Sequence, residues 1–466
     1  MTALYFSQWS YPHHLPADIP LSRITNIYFA FADIDTKTYS ISFCDDNCLK
    51  NKINFPFQVL KSDVTDLEFK NISDNVNSEF YDSIEWVEVY RSNFQEFSLV
   101  KSQISEGLIG QLQQLKKINP RLKMSLSIGG SDSLKSFRTV TTSKKKMKKF
   151  VSSIATYVEE LGFDGVDIDW EFPRTSNDAI LLNKLVKSLY FEFIGGKNSI
   201  KKLITLAIPL DTEVLKNYDF NQMDQYVNYY NLMGYDISGK WSSRSGFQSQ
   251  LYTDPNVIGY TISVDNSLKY LSGFIDKAKI VLGMPAYGTT FDTNKLYDQF
   301  KGCAKICLND SQEEENSGYF ADCNIDYHLL PPPGYIEVSN TEVGASYAYS
   351  DDSIENKGLI VYDTPEVARL KARYVINNGL AGGFWWDSKG DTLLRNTSRS
   401  LVYNFIDELG GVYRLNGQYP VPLDSAAGPN IVFSNGSVSN EGHTIGTCRN
   451  YMIYYLFLFH SLMLFI

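Results

Sequence analysis

The chain has 466 residues, of which 43% are hydrophobic and 21% charged, with a formal net charge of −10 at pH 7. This composition is that of a folded protein with a large core, and it excludes a disordered chain. The acidic balance argues against a nucleic-acid-binding protein, which would present a basic face. The length allows two average domains, or one barrel that carries an insertion.

Eight short apolar runs predict β-strands, because the strands of a parallel sheet are buried on both faces. In chain order these runs are residues 4–9, 24–34, 123–130, 165–171, 203–209, 227–236, 279–288 and 382–387. Apolar residues at helical spacing predict helices at 143–161, 176–193, 267–276, 364–378 and 398–409. This alternation predicts an α/β fold, the parallel (β/α)8 arrangement known as a TIM barrel.

Two stretches interrupt the alternation, and we interpret both as insertions. Residues 36–105 are polar and follow the second strand, whereas residues 290–360 lie between strand 7 and helix 7 and are long enough for a small α+β lobe. The predicted domains are the first part of the barrel at 1–289, the insertion at 290–360 and the last part of the barrel at 361–410. A polar linker at 411–447 and a hydrophobic tail at 448–466 would follow.

The two ends of the chain point to different cellular locations. No signal peptide is visible at the N-terminus, whereas the apolar run 452–466 is short for a membrane span and suits a GPI signal or a weak anchor. We expect an extracellular or cell-wall protein whose leader is missing, with membrane contact only through this tail. Sequons that would accept glycans in a secreted chain stand at Asn71, Asn309, Asn396 and Asn435.

The segment 164–173, DGVDIDWEFP, carries acids at alternate positions of a predicted strand. Because side chains alternate faces along a strand, Asp167, Asp169 and Glu171 point the same way, and each lies about 6.6 Å from the next. The carboxylates in such a row lose hydration and repel one another, which costs stability. A catalytic site at the C-terminal mouth of a barrel strand would explain why this cost is tolerated. The other interpretation is a metal-binding or solvated acidic face, but the apolar residues between the acids and the lack of a nearby His argue against it.

The acid row resembles the D-x-x-D-x-D-x-E signature of glycoside hydrolase family 18, the chitinases. Other motifs fall where that family has them: S-x-G-G at 127–130, M-G-Y-D at 233–236, G-M-P-A-Y-G at 283–288 and W-D at 386–387. The resemblance covers about residues 3–410, and the segment around 382–391 is most similar to fungal members of the sporulation or cell-wall class.

The resemblance implies a chitinase that hydrolyses β-1,4-linked N-acetylglucosamine polymers with retention and without a protein nucleophile. Glu171 would be the general acid and base, and the substrate's own N-acetyl oxygen would attack the anomeric carbon. Asp169 would hold the acetamido N–H and Asp167 would share its proton, so the three acids would titrate as a coupled set.

The resemblance also implies which side chains bind the substrate. Tyr235 would donate to the N-acetyl carbonyl, Asp236 would contact the same sugar, and Trp386 would form the floor beneath it. Each of these aromatic residues could instead be part of the core. Further candidates for the pocket lining, each of which could equally be barrel core, are Met233, Tyr287, Phe31 and Tyr5.

Three positions depart from the family pattern. Ser131 follows the S-x-G-G turn where the family often has an aromatic residue, Thr289 replaces a basic residue after Tyr-Gly, and Asp387 replaces a Glu after Trp. Because the acid row is intact, these changes affect the expected affinity and preferred chain length more than the chemistry.

No cofactor and no metal is predicted. Cys303, Cys307 and Cys323 with His328 have ligand-like side chains, yet their spacing matches no standard zinc module, so disulfides within the insertion or free thiols are expected. The expected partner is chitin or a chito-oligosaccharide, with no nucleic acid, and the protein is expected to be a monomer. Two other functions stay open: a chitin-binding lectin without activity, and an endo-β-N-acetylglucosaminidase that cuts N-glycans.

Overall fold

The structure is a computed structural model, and it describes residues 1–43 except 12 and 22, and then 52–53, 105–195, 201–255, 257, 262–304, 306, 323–351, 358–391 and 398–411. The four sequons, the predicted tail and the predicted linker beyond residue 411 lie outside the described residues. So do most of the predicted insertion at 36–105 and Cys307.

The β-strands are short, and they include one at each of the eight predicted positions. They are β1 Thr2–Ser7, β2 Asn26–Asp35, β3 Ser40–Ser42, β4 Lys52–Ile53, β5 Ser105–Glu106, β6 Lys123–Gly130, β7 Gly165–Trp170, β8 Leu203–Ile208, β9 Tyr229–Leu232, β10 Ile280–Pro285, β11 Tyr287–Phe291, β12 Asn324–Asp326, β13 Tyr335–Asn340, β14 Ala345–Ser350, β15 Leu359–Tyr362 and β16 Gly382–Trp386.

The α-helices lie mainly between the barrel strands. They are α1 Gly107–Ile118, α2 Leu134–Thr141, α3 Lys144–Glu160, α4 Ser176–Gly195, α5 Thr212–Leu215, α6 Phe220–Met223, α7 Val264–Leu271, α8 Pro365–Asn378 and α9 Leu401–Glu408. One-turn 3-10 helices occur at Gln8–Ser10, Pro16–Asp18, Asp224–Tyr226, Lys277–Lys279 and Tyr327–Leu329. Within the described part of the chain, no helix is long and apolar enough to cross a membrane.

Eight of the strands close into a parallel barrel. Around the barrel their order is β1, β2, β6, β7, β8, β9, β10 and β16, and β16 pairs with β1 to complete the circle. The predicted (β/α)8 barrel is confirmed. All eight strands run the same way, so their C-terminal ends meet at one mouth, which is where barrel enzymes carry their active sites.

The alternation along β7 divides its side chains between two environments. Val166, Ile168 and Trp170 are buried in the apolar layer beneath the helices, where the Trp170 ring stacks on Phe137 of α2 with centroids 4.9 Å apart. Burial of an apolar side chain of this kind contributes about 1.5–3 kcal/mol. The strand is therefore held from outside by packing, and the acids on its other face are directed into the barrel.

A second sheet stands between β10 and the helix α8. It has five strands in the order β12, β11, β15, β14 and β13, and every pairing is antiparallel. A disulfide joins Cys303 to Cys323, which are 20 residues apart in the chain. The insertion predicted at 290–360 falls here, although the sheet itself runs from Tyr287 to Tyr362; in its described part the only helical element is the one-turn Tyr327–Leu329.

Several predicted boundaries are wrong for identifiable reasons. The strand predicted at 279–288 is divided at Ala286, because the chain leaves the barrel there and its continuation pairs in the second sheet. The helix predicted at 267–276 begins earlier, since the Ser263 side chain accepts the backbone N–H of Asn266 and caps it. Helix α1 was not predicted because it adjoins the insertion at 36–105, and α5 and α6 because four residues are too few to show a helical period. Helix α2 was not predicted either.

Candidate active site

The three acids of the predicted row lie at the mouth end of β7. Asp167 and Asp169 are strand residues and are buried, while Glu171 is the first residue after the strand and is partly exposed. The row therefore runs from the barrel interior outward. Its outermost carboxyl is the one that solvent and a ligand can reach.

The carboxylate of Asp167 is surrounded by donors from four other barrel strands. Its Oδ2 accepts from the hydroxyls of Tyr5 at 2.8 Å and Ser127 at 2.7 Å. Its Oδ1 accepts from Thr205 Oγ1 at 2.6 Å and from Asn231 Nδ2 at 3.1 Å. Burial raises the pKa of Asp167, and these four hydrogen bonds act in the opposite direction. Asp167 is thus a fixed anchor at the base of the row.

Asp169 is much less well satisfied than its neighbour. Its Oδ1 is buried and has no hydrogen-bond partner among the described residues. Burial, followed by the charges of Glu171 and Asp167, raises the pKa of Asp169 well above its ordinary value. An unpaired carboxyl oxygen at this depth is one that a ligand N–H or a shared proton could satisfy.

Glu171 is held by its backbone, which leaves its carboxyl free for chemistry. The Ser133 hydroxyl accepts the Glu171 backbone N–H at 3.0 Å and donates to the Asp169 carbonyl at 3.1 Å. Burial, then the charges of Asp236 and Asp132, raises the pKa of Glu171 from its ordinary 4.5 to about 7. At neutral pH a large share of Glu171 is therefore protonated and can donate a proton.

Aromatic side chains form one cluster inside the barrel, and Tyr5 connects this cluster to the base of the acid row. The Tyr235 hydroxyl group stays protonated there, because burial and then the charge of Asp169 raise the pKa of Tyr235. Six of the seven residues predicted to bind substrate belong to this cluster or pack against it. They are Tyr5, Phe31, Tyr235 and Tyr287 within it, with Met233 and Trp386 at its border.

The seventh predicted residue, Asp236, joins the site through Tyr287, whose hydroxyl donates to its carboxylate. Although solvent reaches Asp236, the surrounding protein partly desolvates the carboxyl and raises its pKa, against the effect of the Tyr287 hydrogen bond. Its backbone φ is +58°. Asp tolerates this left-handed conformation better than most residues.

An aromatic platform lies beside the acids. Trp386, the last residue of β16, stacks on Phe31 with ring centroids 5.5 Å apart and an interplanar angle of 21°. The ring centroid of Trp9 lies 6.1 Å from that of Trp386 and 6.0 Å from that of Phe31, and 57% of the Trp9 surface is exposed. Trp9 is not among the predicted site residues, because it stands at the end of a predicted strand. A large exposed aromatic ring there is the signal that could have found it.

The polar side chains that support the site were also not predicted. Ser127, Thr205 and Asn231 each interrupt an apolar strand on its inward face, and that interruption is a signal a reader of the sequence could use. A further unpredicted contact joins the hydroxyl of Ser7 to Asp387, one of the three departures from the family pattern. Burial raises the pKa of Asp387 to about 6.

The arrangement has the parts of an acid-catalysed reaction on a sugar. One carboxyl group is protonated near neutral pH, a second one beneath it has an unpaired oxygen, and aromatic faces can stack on the apolar faces of sugar rings. In the described residues, no group of three or more His, Cys, Asp or Glu side chains could hold a metal ion.

Comparison with known proteins identifies the family. Sporulation-specific chitinase 2 of Saccharomyces cerevisiae is 28% identical over 437 residues, 88% of this chain and 78% of that protein. Endochitinase 1 of Metarhizium robertsii is 25% identical over 420 residues, 88% and 85% of the two chains. A class V chitinase mutant from Nicotiana tobaccum, solved in complex with NAG4, has a similar fold, with a TM-score of 0.63 at 20% identity over 88% and 99% of the two chains.

The family model described as glycosyl hydrolases family 18 matches residues 1–391. Because the match includes all eight barrel strands and the acid row, the chain belongs to glycosyl hydrolase family 18 and is a glycoside hydrolase.

Proposed function

We propose that this protein is a chitinase, which hydrolyses β-1,4-linked N-acetylglucosamine polymers with retention and uses Glu171 as its general acid and base. The observation that carries the proposal is a carboxyl group with a pKa of about 7 at the barrel mouth, directly above a buried acid with an unpaired oxygen. The names of the relatives support the same substrate, since each of those reported above is a chitinase.

In the first step, the Glu171 carboxyl donates its proton to the glycosidic oxygen as that bond breaks. The carbonyl oxygen of the substrate's own N-acetyl group forms the new bond to the anomeric carbon, which gives a cyclic oxazolinium ion. The fragment that carries the protonated glycosidic oxygen is released. In the second step, the Glu171 carboxylate takes a proton from a water molecule, whose oxygen attacks the anomeric carbon from the vacated side. The acid is thereby regenerated with overall retention.

The other side chains orient the N-acetyl group. In this proposal the unpaired oxygen of Asp169 accepts the acetamido N–H and stabilises the positive charge that develops on the ring, while Asp167 holds Asp169 in a shared protonation state. The neutral Tyr235 hydroxyl donates to the acetamido group, and Asp236 contacts the same sugar. Trp386 forms the floor, with Phe31, Tyr5, Met233 and Tyr287 around it.

The test is a comparison of wild type with Glu171→Gln on chitotetraose. We expect kcat to fall by about 10²- to 10⁴-fold, because the amide cannot donate the proton, whereas the thermal melting temperature and oligosaccharide binding stay unchanged. Glu160→Gln, at an exposed position on α3, is the matched control and should keep full activity. Near-wild-type turnover by Glu171→Gln would refute the assignment.

The same assay separates the two functions that the sequence left open. Binding of chitotetraose with no release of reducing sugar by the wild type would indicate a lectin. Cleavage of a high-mannose glycopeptide without cleavage of chitotetraose would indicate an endo-β-N-acetylglucosaminidase.

We further propose that the protein acts outside the cell or in the cell wall, as a monomer. The disulfide between Cys303 and Cys323 supports an extracellular location, because disulfides persist in oxidising compartments and are rare in the cytosol. Recovery of activity in the culture medium or wall fraction, with none in the cytosol, is the expected result of fractionation. Anchoring through the C-terminal tail stays a prediction.

A further inference from the structure

Four exposed lysines stand close together at the start of α3, on a chain whose net charge is −10. The sequence from 144 to 149 is KKKMKK, in which Met147 is buried in the core and Lys144, Lys145, Lys148 and Lys149 are exposed. We call these four residues the lysine cluster. Its charge is positive, whereas the net charge of the whole chain is negative.

The lysine cluster opposes the local electrostatics of the helix. The first turn of α3 contains no acidic residue, so the partial positive charge at the helix N-terminus meets further positive charge. The pairs Lys144–Lys148 and Lys145–Lys149 are like charges at i and i+4, which repel. Within the described chain, none of the four forms a salt bridge with a carboxylate.

Three other helices of the same protein follow the usual rule, whereas α1, α2 and α9 resemble α3 in having no acidic residue in the first turn. The first turns of α4, α7 and α8 contain Asp178, Asp265 and Glu366. Solubility does not account for four exposed lysines in this one turn and a half of helix, because a chain of net charge −10 is already well charged and each added lysine reduces that magnitude. The like-charge pairs thus cost local stability, and no salt bridge to a described carboxylate offsets that cost.

The cluster lies on the outside of the barrel, toward the end that carries the acid row. β6 runs toward the mouth, α2 and the start of α3 follow it, and the rest of α3 returns toward the opposite end. The ammonium group of Lys146, between the cluster residues, lies 4.6 Å from the ring centroid of Tyr39, in the turn that extends from the mouth end of β2. A long ligand bound at the cluster would therefore pass near the rim of the site.

We propose that the lysine cluster binds an anionic polysaccharide and so retains the enzyme on a matrix that contains its substrate. Cations exposed in a row and lacking acidic neighbours attract a linear polyanion and release its counterions on binding. A membrane surface fits less well, because the apolar side chain in the segment, Met147, is buried and leaves no anchor for the headgroup region. The binding does not involve the acid row and goes beyond the proposed hydrolysis.

The experiment measures binding of the full chain to polygalacturonate by biolayer interferometry, at about 20 mM and about 200 mM NaCl, since salt screens such contacts. The cluster variant is Lys144→Ser/Lys145→Ser/Lys148→Ser/Lys149→Ser. The control variant has the same net charge but loses four scattered exposed lysines, as Lys117→Ser/Lys184→Ser/Lys201→Ser/Lys301→Ser.

We expect the cluster variant to lose affinity by about tenfold or more at low salt and the control by only about twofold, with the difference vanishing at high salt. Equal losses in both variants, or no binding by the wild type, would overturn the proposal. So would binding to phosphatidylserine vesicles or RNA that depends on the cluster while polygalacturonate binding does not.

Hydrolysis of chitotetraose is measured in parallel on all three proteins. Equal kcat/KM values show that the variants are folded and that the cluster acts apart from the reaction. If none of the three proteins cleaves the oligosaccharide, the proposed function fails, yet the polygalacturonate comparison still decides whether the lysine cluster binds a polyanion.

Discussion

The protonation of Glu171 limits the pH range in which the proposed reaction can run. Its pKa is about 7, so the proton that the first step needs is present below that pH and is lost as pH rises through it. Activity is therefore expected to be high in mildly acidic solution and to fall above about pH 7. A pH profile of kcat/KM, which reports the free enzyme, measures this alkaline limb.

The charge of Asp132 offers a way to shift the alkaline limb of the pH profile. Asp132 raises the pKa of Glu171, so Asp132→Asn should lower it and shift the alkaline limb to lower pH, by about half a pH unit or less because Asp132 is exposed and screened. Asn tolerates the φ of +66° at this position, so the backbone should not change. Added salt should shrink the difference, and a shift to higher pH would contradict the assigned electrostatics.

Individual site residues differ in how far the sequence could reveal them. The acids of β7 were predictable because their spacing alone places them on one face of one strand. The donors to Asp167 were not, since Tyr5 and Asn231 are separated from it by 162 and 64 residues and only the closed barrel brings them together. The direction of the Glu171 pKa was predictable from crowding and burial, but the contribution of Asp132 depends on a turn after β6 that the sequence does not define.

Among the elements, the junction of β15 and α8 depends on a buried ion pair. Lys371 Nζ donates to Asp363 Oδ2 at 2.5 Å, both side chains are essentially inaccessible, and Ser249 donates to the other carboxylate oxygen at 2.7 Å. The pair joins the helix to the end of the second sheet. It also holds the loop that follows Asp236.

Lys371→Met is expected to lower the free energy of unfolding by about 3–5 kcal/mol, because it leaves the Asp363 carboxyl buried without its counter-charge. Lys269→Met is the matched control. Lys269 pairs with Asp265 at 2.6 Å but is 72% exposed, so its loss should cost about 0.5 kcal/mol or less. Urea unfolding monitored by tryptophan fluorescence gives both values, and equal losses would show that burial does not govern this pair.

The barrel strands were predictable because each is a nearly continuous apolar run, whereas the second sheet was not. No residue of β13 is buried, and β14 mixes buried with partly exposed residues, so neither strand is a continuous apolar run. The end of β10 was missed for a related reason, since β11 continues the same apolar run into a different sheet. The hydrophobic pattern of a sequence indicates which residues are buried, but it does not indicate which strands pair with each other.

In the protein as a whole, the disulfide between Cys303 and Cys323 is expected to stabilise the inserted lobe. Cys303→Ser/Cys323→Ser is expected to reduce stability by about 3 kcal/mol, because the bond closes a loop of 20 residues. Differential scanning calorimetry measures the change, and a reducing agent should bring the wild type to the same lowered transition. A variant that melts with the oxidised wild type would show that the bond contributes nothing to the fold.

Asp167 receives its hydrogen bonds from side chains on β1, β6, β8 and β9. A substitution at any of these positions is expected to affect both folding and catalysis. Few single substitutions around Asp167 would therefore be tolerated. Ser131, by contrast, is exposed in the turn that follows β6 at the mouth and makes no hydrogen bond to Asp167. New preferences for sugar length or decoration can therefore arise at the rim while the reaction itself is inherited unchanged.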